Sequence, residues 1–203
     1  MKLPDHLGGH LNKVHTDMST FLYLKEKYEI KTMVDVGCGP GDMVLYAEKH
    51  GVKSMGIDGD FTLKQTWNKY GIDVILHDFN DGSPDLRVFN SGFDLIWSVE
   101  FLEHVYEKYL PNILKVFEKS KYMIVTTAPP GHGGVHHVNE QPSSYWIEKF
   151  ETIGFEVDLK QSKHIREEVS LMKKPFMQRN GLFFKKKGPV SYTHLRAHET
   201  NQD

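Results

Sequence analysis

Short apolar runs alternate along this chain with segments of helical periodicity. The runs are Thr32–Val36, Ser54–Asp58, Ile72–Leu76, Phe93–Ser98, Tyr122–Thr127, Phe155–Leu159 and Leu182–Lys185. Bounded by glycines and polar residues, they read as strands. Thr16 or Asp17 caps a first helix running to about Tyr28, with Phe21, Leu22, Leu24 and Tyr28 as its apolar stripe. Further helices are expected from about Gly41 to His50, closed by Gly51, and from Thr62 to Tyr70, stopped at Gly71. Another follows Pro111 and carries Ile113, Leu114, Val116 and Phe117. One opened by Pro142–Ser144 turns Tyr145, Trp146, Phe150 and Ile153 inward and ends at Gly154. Ile165–Met177 is expected to be helical, and Asn180-Gly181 to form a turn before the final strand.

Strands alternating with helices predict a doubly wound α/β sheet. Right-handed crossovers then bring every strand's C-terminal end to one edge, where ligands bind near the reversal of strand order. Gly37, Asp58, Asp78, Ser98 and the loop 128–141 all follow strand ends, so they converge there. The loop Gly37-Cys38-Gly39-Pro40-Gly41, after Met33-Val34-Asp35-Val36, is the clearest signal. Glycines let a nucleotide-type cofactor lie against bare backbone. Asp58, about twenty residues on, suits the hydroxyls of a ribose. Cys38 reads either as a reactive thiol at a helix start or as a small packing residue, and packing is the expectation.

With 203 residues, the chain is long enough for one domain with a proper core, and residues 1–189 are read as that domain. A net charge of −2 and a pI of about 6.6 give no global case for nucleic acid or an anionic membrane. A single cysteine excludes an intrachain disulfide and fits a reducing compartment. No apolar run reaches bilayer length, so the expectation is a cytoplasmic protein, monomeric or homodimeric. Residues 1–15, with His6, His10 and His15, are irregular: either a surface arm or, as preferred, a lid over the cofactor. The lysines at 173–174 and 185–187 read as a solvated face. Val190–Thr200 resembles a translated transposase adapter, so 190–203 is expected to be non-native; an ordinary polar tail is the alternative.

Four motifs in order resemble the class I S-adenosylmethionine-dependent methyltransferases: Val34–Gly41, the acid Asp58, the pair Asp78-Phe79, and Phe93–Ile96 running into Leu102-Glu103-His104-Val105. The resemblance implies a Rossmann-like, seven-stranded, mostly parallel sheet with its last strand antiparallel. It implies that Gly37, Cys38, Gly39 and Gly41 underlie the cofactor, and that Asp35 supports the loop or meets the amino group. Asp58 and Gly59 would bind the ribose, Asp78 the adenine amino group with Phe79 on the ring, and Ser98 and Val99 would line the sulfonium region.

Glu100-x-x-Glu103-His104 is the candidate catalytic stretch. On a helical turn these three side chains share a face and suit a divalent ion. With His137 they resemble metal-dependent O-methyltransferases of small RNAs and of the ubiquinone pathway. His137-Val138-Asn139-Glu140 has the His-x-x-Glu form found in the RNA enzymes. The metal-free reading keeps Glu103 and His104 as catalytic residues, His104 as general base. O-methylation of a small molecule or glycan is the leading expectation. RNA 2′-O-methylation, a nicotinamide-dependent oxidoreductase and a non-catalytic cofactor-binding protein are the alternatives. Gly37-x-Gly39-x-Gly41 lacks the Gly-x-Gly-x-x-Gly spacing that the oxidoreductase requires.

Overall fold

A computed structural model describes residues 2–8, 15–86 and 92–188. The tail expected to be non-native, and His10, lie outside the described residues. In chain order the elements are α1 (Met18–Lys27), β1 (Thr32–Val36), α2 (Asp42–Lys49), β2 (Lys53–Asp58), α3 (Lys64–Tyr70), β3 (Val74–Leu76), β4 (Phe93–Val99), α4 (Leu110–Phe117), β5 (Ser120–Thr126), α5 (Ser143–Glu151), β6 (Phe155–Val157), α6 (Leu159–His164), α7 (Phe176–Asn180) and β7 (Leu182–Lys186).

The seven strands form one sheet in the order β3-β2-β1-β4-β5-β7-β6, with β7 antiparallel to both neighbours. Strand periodicity divides the core between two faces. Val34, Val36, Ile96, Met123 and Val125 point to one face, under α4 and α5, where Phe117, Trp146 and Phe150 are fully buried. Met33, Leu95, Trp97, Ile124 and Phe183 point to the other, against Phe21 and Leu24 of α1 and Ala47 of α2. Burial on both faces explains the continuous apolar runs. Each large side chain buried this way contributes roughly 1.5–3 kcal/mol. Among the described residues, no helix is long and apolar enough to cross a membrane.

Strand order reverses between β1 and β4, so the glycine loop and the segment after β4 face each other across the crevice. Asp17 caps α1 as expected, accepting from the Thr20 amide at 3.1 Å. Several boundaries depart from expectation. Strand β3 starts at Val74 because Ile72 is drawn back to α3, its amide donating to the Trp67 carbonyl at 2.9 Å. Strand β6 stops at Val157 because Asp158 caps α6 through the Gln161 amide at 2.8 Å. No continuous helix spans Ile165–Met177: a π-helical turn ends at Val169, and α7 begins only at Phe176. Pro175 lacks an amide proton and disfavours helical backbone at Lys174, which separates the two. Gly181 ends α7 with φ −57°, so Asn180-Gly181 is a helix exit, not a hairpin turn.

Candidate active site

The glycine loop is shaped by what fills the missing Cβ positions. At Gly37, φ is +78° and a Cβ would fall 2.4 Å from Phe101, whose ring packs on the loop. The Cys38 sulfur sits over Gly56, 2.4 Å from where a Cβ would be. Burial, then Asp58, pushes its thiol well up, so Cys38 packs as expected. The Gly39 amide donates to Asp58 Oδ2 at 2.7 Å, and its carbonyl accepts from Trp67 Nε1 at 2.9 Å. Asp58 Oδ1 accepts from the Asp60 amide at 2.8 Å. Sequence reasoning missed Trp67 and Phe101, since both look like ordinary core aromatics.

A cavity of about 370 Å³ opens above this loop. Its floor includes Asp35, Gly37, Cys38, Gly39, Asp58 and Gly59. Asp35 is 5% exposed, and burial, then Asp58, holds its carboxyl well above the usual range. Trp97, Val99, Glu100, Phe101 and His104 rise on the far side. His6, Leu7 and Gly8 form an outer wall, and His15 another with Lys174 and Phe176, two residues that the sequence did not signal.

Four expected cofactor residues are not among those that line the cavity. Gly41 does not line the cavity; with φ +90° it opens α2, and a Cβ there would press Ile72 at 2.9 Å. Ser98 is fully buried and donates to the Val36 carbonyl at 3.0 Å, because Trp97 and Val99 hold the cavity-facing parity of β4. Phe79 is only 6% exposed and packs at 5.9 Å from Phe101. Asp78 sits at the rim, with Oδ2 2.6 Å from His6 Nε2.

The expected helical turn over 100–104 does not form. Glu100 has φ +52°, its amide donates to both the carbonyl and Oγ1 of Thr126, and Thr126 Oγ1 donates to its Oε1 at 2.8 Å. A 3-10 turn, Leu102–His104, follows. Glu103 is fully buried, and neither of its carboxylate oxygens has a hydrogen-bond partner. Burial, then Glu100, pushes it well above the usual carboxylate range. Burial also raises Glu100. His104 is lowered to about 4 by burial and then by His137, and its Nδ1 has no partner.

His137 arrives from the loop after β5. The Val138 and Asn139 amides donate to the Glu103 carbonyl at 2.9 and 3.0 Å. Glu140 accepts from His137 Nδ1 at 2.8 Å and from the Gly131 and Gly133 amides at 2.8 and 2.7 Å. Ligand atoms of Glu103, His104 and His137 consequently lie within 4.8 Å of one another. Glu100 borders the cavity outside that group of three, because its left-handed backbone turns it toward Thr126.

No curated protein matches this sequence. The family model described as a methyltransferase domain matches residues 34–125. The solved methyltransferase domain of bacterial CtHen1-C is 20% identical, with 84% of this chain and 97% of that one covered and a TM-score of 0.59. A TehB-like SAM-dependent methyltransferase from Corynebacterium glutamicum is 20% identical, covers 84% and 88%, and has a TM-score of 0.56. The sugar N-methyltransferase KedS8 from Streptoalloteichus is 12% identical, covers 84% and 85%, and has a TM-score of 0.61. At these identities the structural likeness is one of fold. The family match over residues 34–125, the strand order and the loop at the switch point support a methyltransferase of the class I fold. Methyl transfer is the activity that the family match and the fold together support.

Proposed function

We propose that this enzyme uses S-adenosylmethionine to methylate a hydroxyl oxygen of a small molecule or glycan, and that Glu103, His104 and His137 hold a divalent cation beside the donor. The observation that carries the proposal is Glu103. A carboxyl group with no exposure and no well-formed hydrogen bond, near the Glu103 and Ala128 amides and the Glu100 carboxyl, is unfavourable in the folded protein unless a ligand completes it. Carboxylate oxygens with imidazole nitrogens suit a hard or borderline divalent ion. Glu140 on His137 Nδ1 supplies the outer carboxylate that orients a ligating imidazole. When bound, such an ion lowers the pKa of a coordinated hydroxyl.

The chain's own residues hold the donor. The Gly37–Gly39 backbone underlies the methionyl and ribose parts, Asp58 meets the ribose diol, Asp35 the amino group, and Asp78 the adenine edge. The sulfonium methyl is already activated, so transfer needs in-line alignment with the acceptor oxygen. The loop 128–141 provides that alignment from the opposite side of the cavity. His104 acting alone as general base is the weaker reading, because a ring with a pKa of about 4 takes up a proton poorly near neutrality. A sugar N-methyltransferase among the structural neighbours supports a small or glycan acceptor.

The test is a transfer assay with radiolabelled methyl donor across phenols, sugars and oligonucleotides ending in a ribose diol, with and without chelator. Label on a small hydroxyl acceptor, lost with chelator and restored by Mn²⁺ or Mg²⁺, is expected. Chelator-insensitive transfer, or label on RNA alone, overturns the proposal.

A further inference from the structure

The N-terminal arm, residues 2–8, bridges parts of the site that are remote in sequence. His6 Nε2 lies 2.6 Å from Asp78 Oδ2 and 2.9 Å from Asn80 Nδ2. Leu7 fills the space over Gly59, where a Cβ would fall 2.5 Å from its Cδ2. Beyond it, a Cβ on Gly8 would lie 3.2 Å from Asp60 Oδ2. The His6 ring also stands 6.3 Å from that of His136 in the loop after β5, and His136 Nε2 is buried without a partner. The arm thus touches the residues assigned to ribose and adenine at one end and the acceptor loop at the other. It leaves the cavity of about 370 Å³ beneath it, so it roofs the donor site instead of filling it.

We propose that the arm is a strap that closes over bound donor, with His6 as its latch on Asp78, and that donor and product exchange only when the strap lifts. The proposal rests on the donor reading above. Among the described residues, His6 with Asp78, Asn80 and His136, and Leu7 with Gly59, hold the strap in place. A half-buried pair such as His6–Asp78 is strong enough to hold a short arm and weak enough to release it. His6 is a positioning residue: it acts on the donor through Asp78 and the roof.

The experiment is stopped-flow binding of S-adenosylhomocysteine to the full chain, read by intrinsic fluorescence. Trp97 lines the cavity and Trp67 bonds the glycine loop, so native probes are in place. For His6→Ala, association and dissociation rates are both expected to rise, dissociation by roughly tenfold or more, the scale of one charge-assisted hydrogen bond. His6→Gln, which keeps an N–H donor, should restore rates close to wild type. Deletion of residues 1–8 should match His6→Ala, with thermal melting verifying that both variants fold. Faster dissociation with unchanged association makes the arm a fixed wall and overturns the strap. Rates unchanged in folded His6→Ala overturn it as well. If the wild-type protein does not bind S-adenosylhomocysteine, the donor reading itself falls, a result separate from either.

Discussion

The Gly39 amide donates to the Asp58 carboxylate across 2.7 Å, tying the glycine loop after β1 to the end of β2. One acid therefore shapes the loop and faces the donor cavity. Asp58→Ala strands the Gly39 and Asp60 amides. We expect a loss of about 1–3 kcal/mol of stability and a fall of roughly tenfold or more in S-adenosylhomocysteine affinity. Calorimetry with thermal melting checks both, and full affinity in the alanine variant contradicts the assignment.

Gly37→Ala places a Cβ 2.4 Å from the Phe101 ring at φ +78°. Backbone strain of this kind is worth about 1–3 kcal/mol, before the clash is added. The melting temperature should fall, and Gly37→Ala/Phe101→Ala should recover donor affinity in part by removing the ring. No recovery indicates that the backbone strain alone is decisive.

Asp35 gives a pH dependence. Its carboxyl is held well above the ordinary value of 3.8 by burial and then by Asp58. The folded protein therefore retains a proton that the unfolded chain has lost. Stability from this group is greatest below the unfolded pKa and is lost as pH rises through the folded one. Donor binding runs the other way: a cationic amino group favours the ionised carboxyl, so affinity should rise with pH through the raised pKa and then level. Calorimetry in buffers of different ionisation enthalpy should detect proton release on binding, absent in Asp35→Asn. Equal proton release in that variant rules Asp35 out as its source.

Glu140 is expected to act on the cation through His137. Glu140→Gln weakens the hold on His137 Nδ1 and on the Gly131 and Gly133 amides. Loss of such an outer partner typically lowers metal affinity about 10–100-fold. Mn²⁺ affinity measured by calorimetry should fall within that range, and unaltered affinity would show that His137 needs no orienting partner.

The sheet and its acids were legible because both follow simple periodicities. Apolar runs mark strands, and Asp35 and Asp58 stand at or near the ends of the first two. What stayed hidden depends on contacts between distant segments. Thr126 holds Glu100 in a left-handed backbone that no local pattern signals, so the expected helical face at 100–104 gave way to a 3-10 turn. Even so, Glu103, His104 and His137 meet, because the Glu103 carbonyl itself accepts the two amides after His137. Ser98 lies one step of strand parity from Trp97 and Val99, which line the cavity. Trp67 lies on α3 with no motif around it to signal that its indole N–H bonds the loop. The Leu7–Gly59 contact spans more than fifty residues and has no sequence signature.

The central claim is that the buried acid and imidazoles at the acceptor end form a cation site. The most direct measurement is Mn²⁺ titration, followed by electron paramagnetic resonance, of wild-type protein and of Glu103→Gln, His104→Ala and His137→Ala. The account predicts a single Mn²⁺ per chain, with affinity lowered at least about tenfold in each variant. Mn²⁺ binding of equal strength in the wild type and all three variants, or no binding to the wild type, would contradict it.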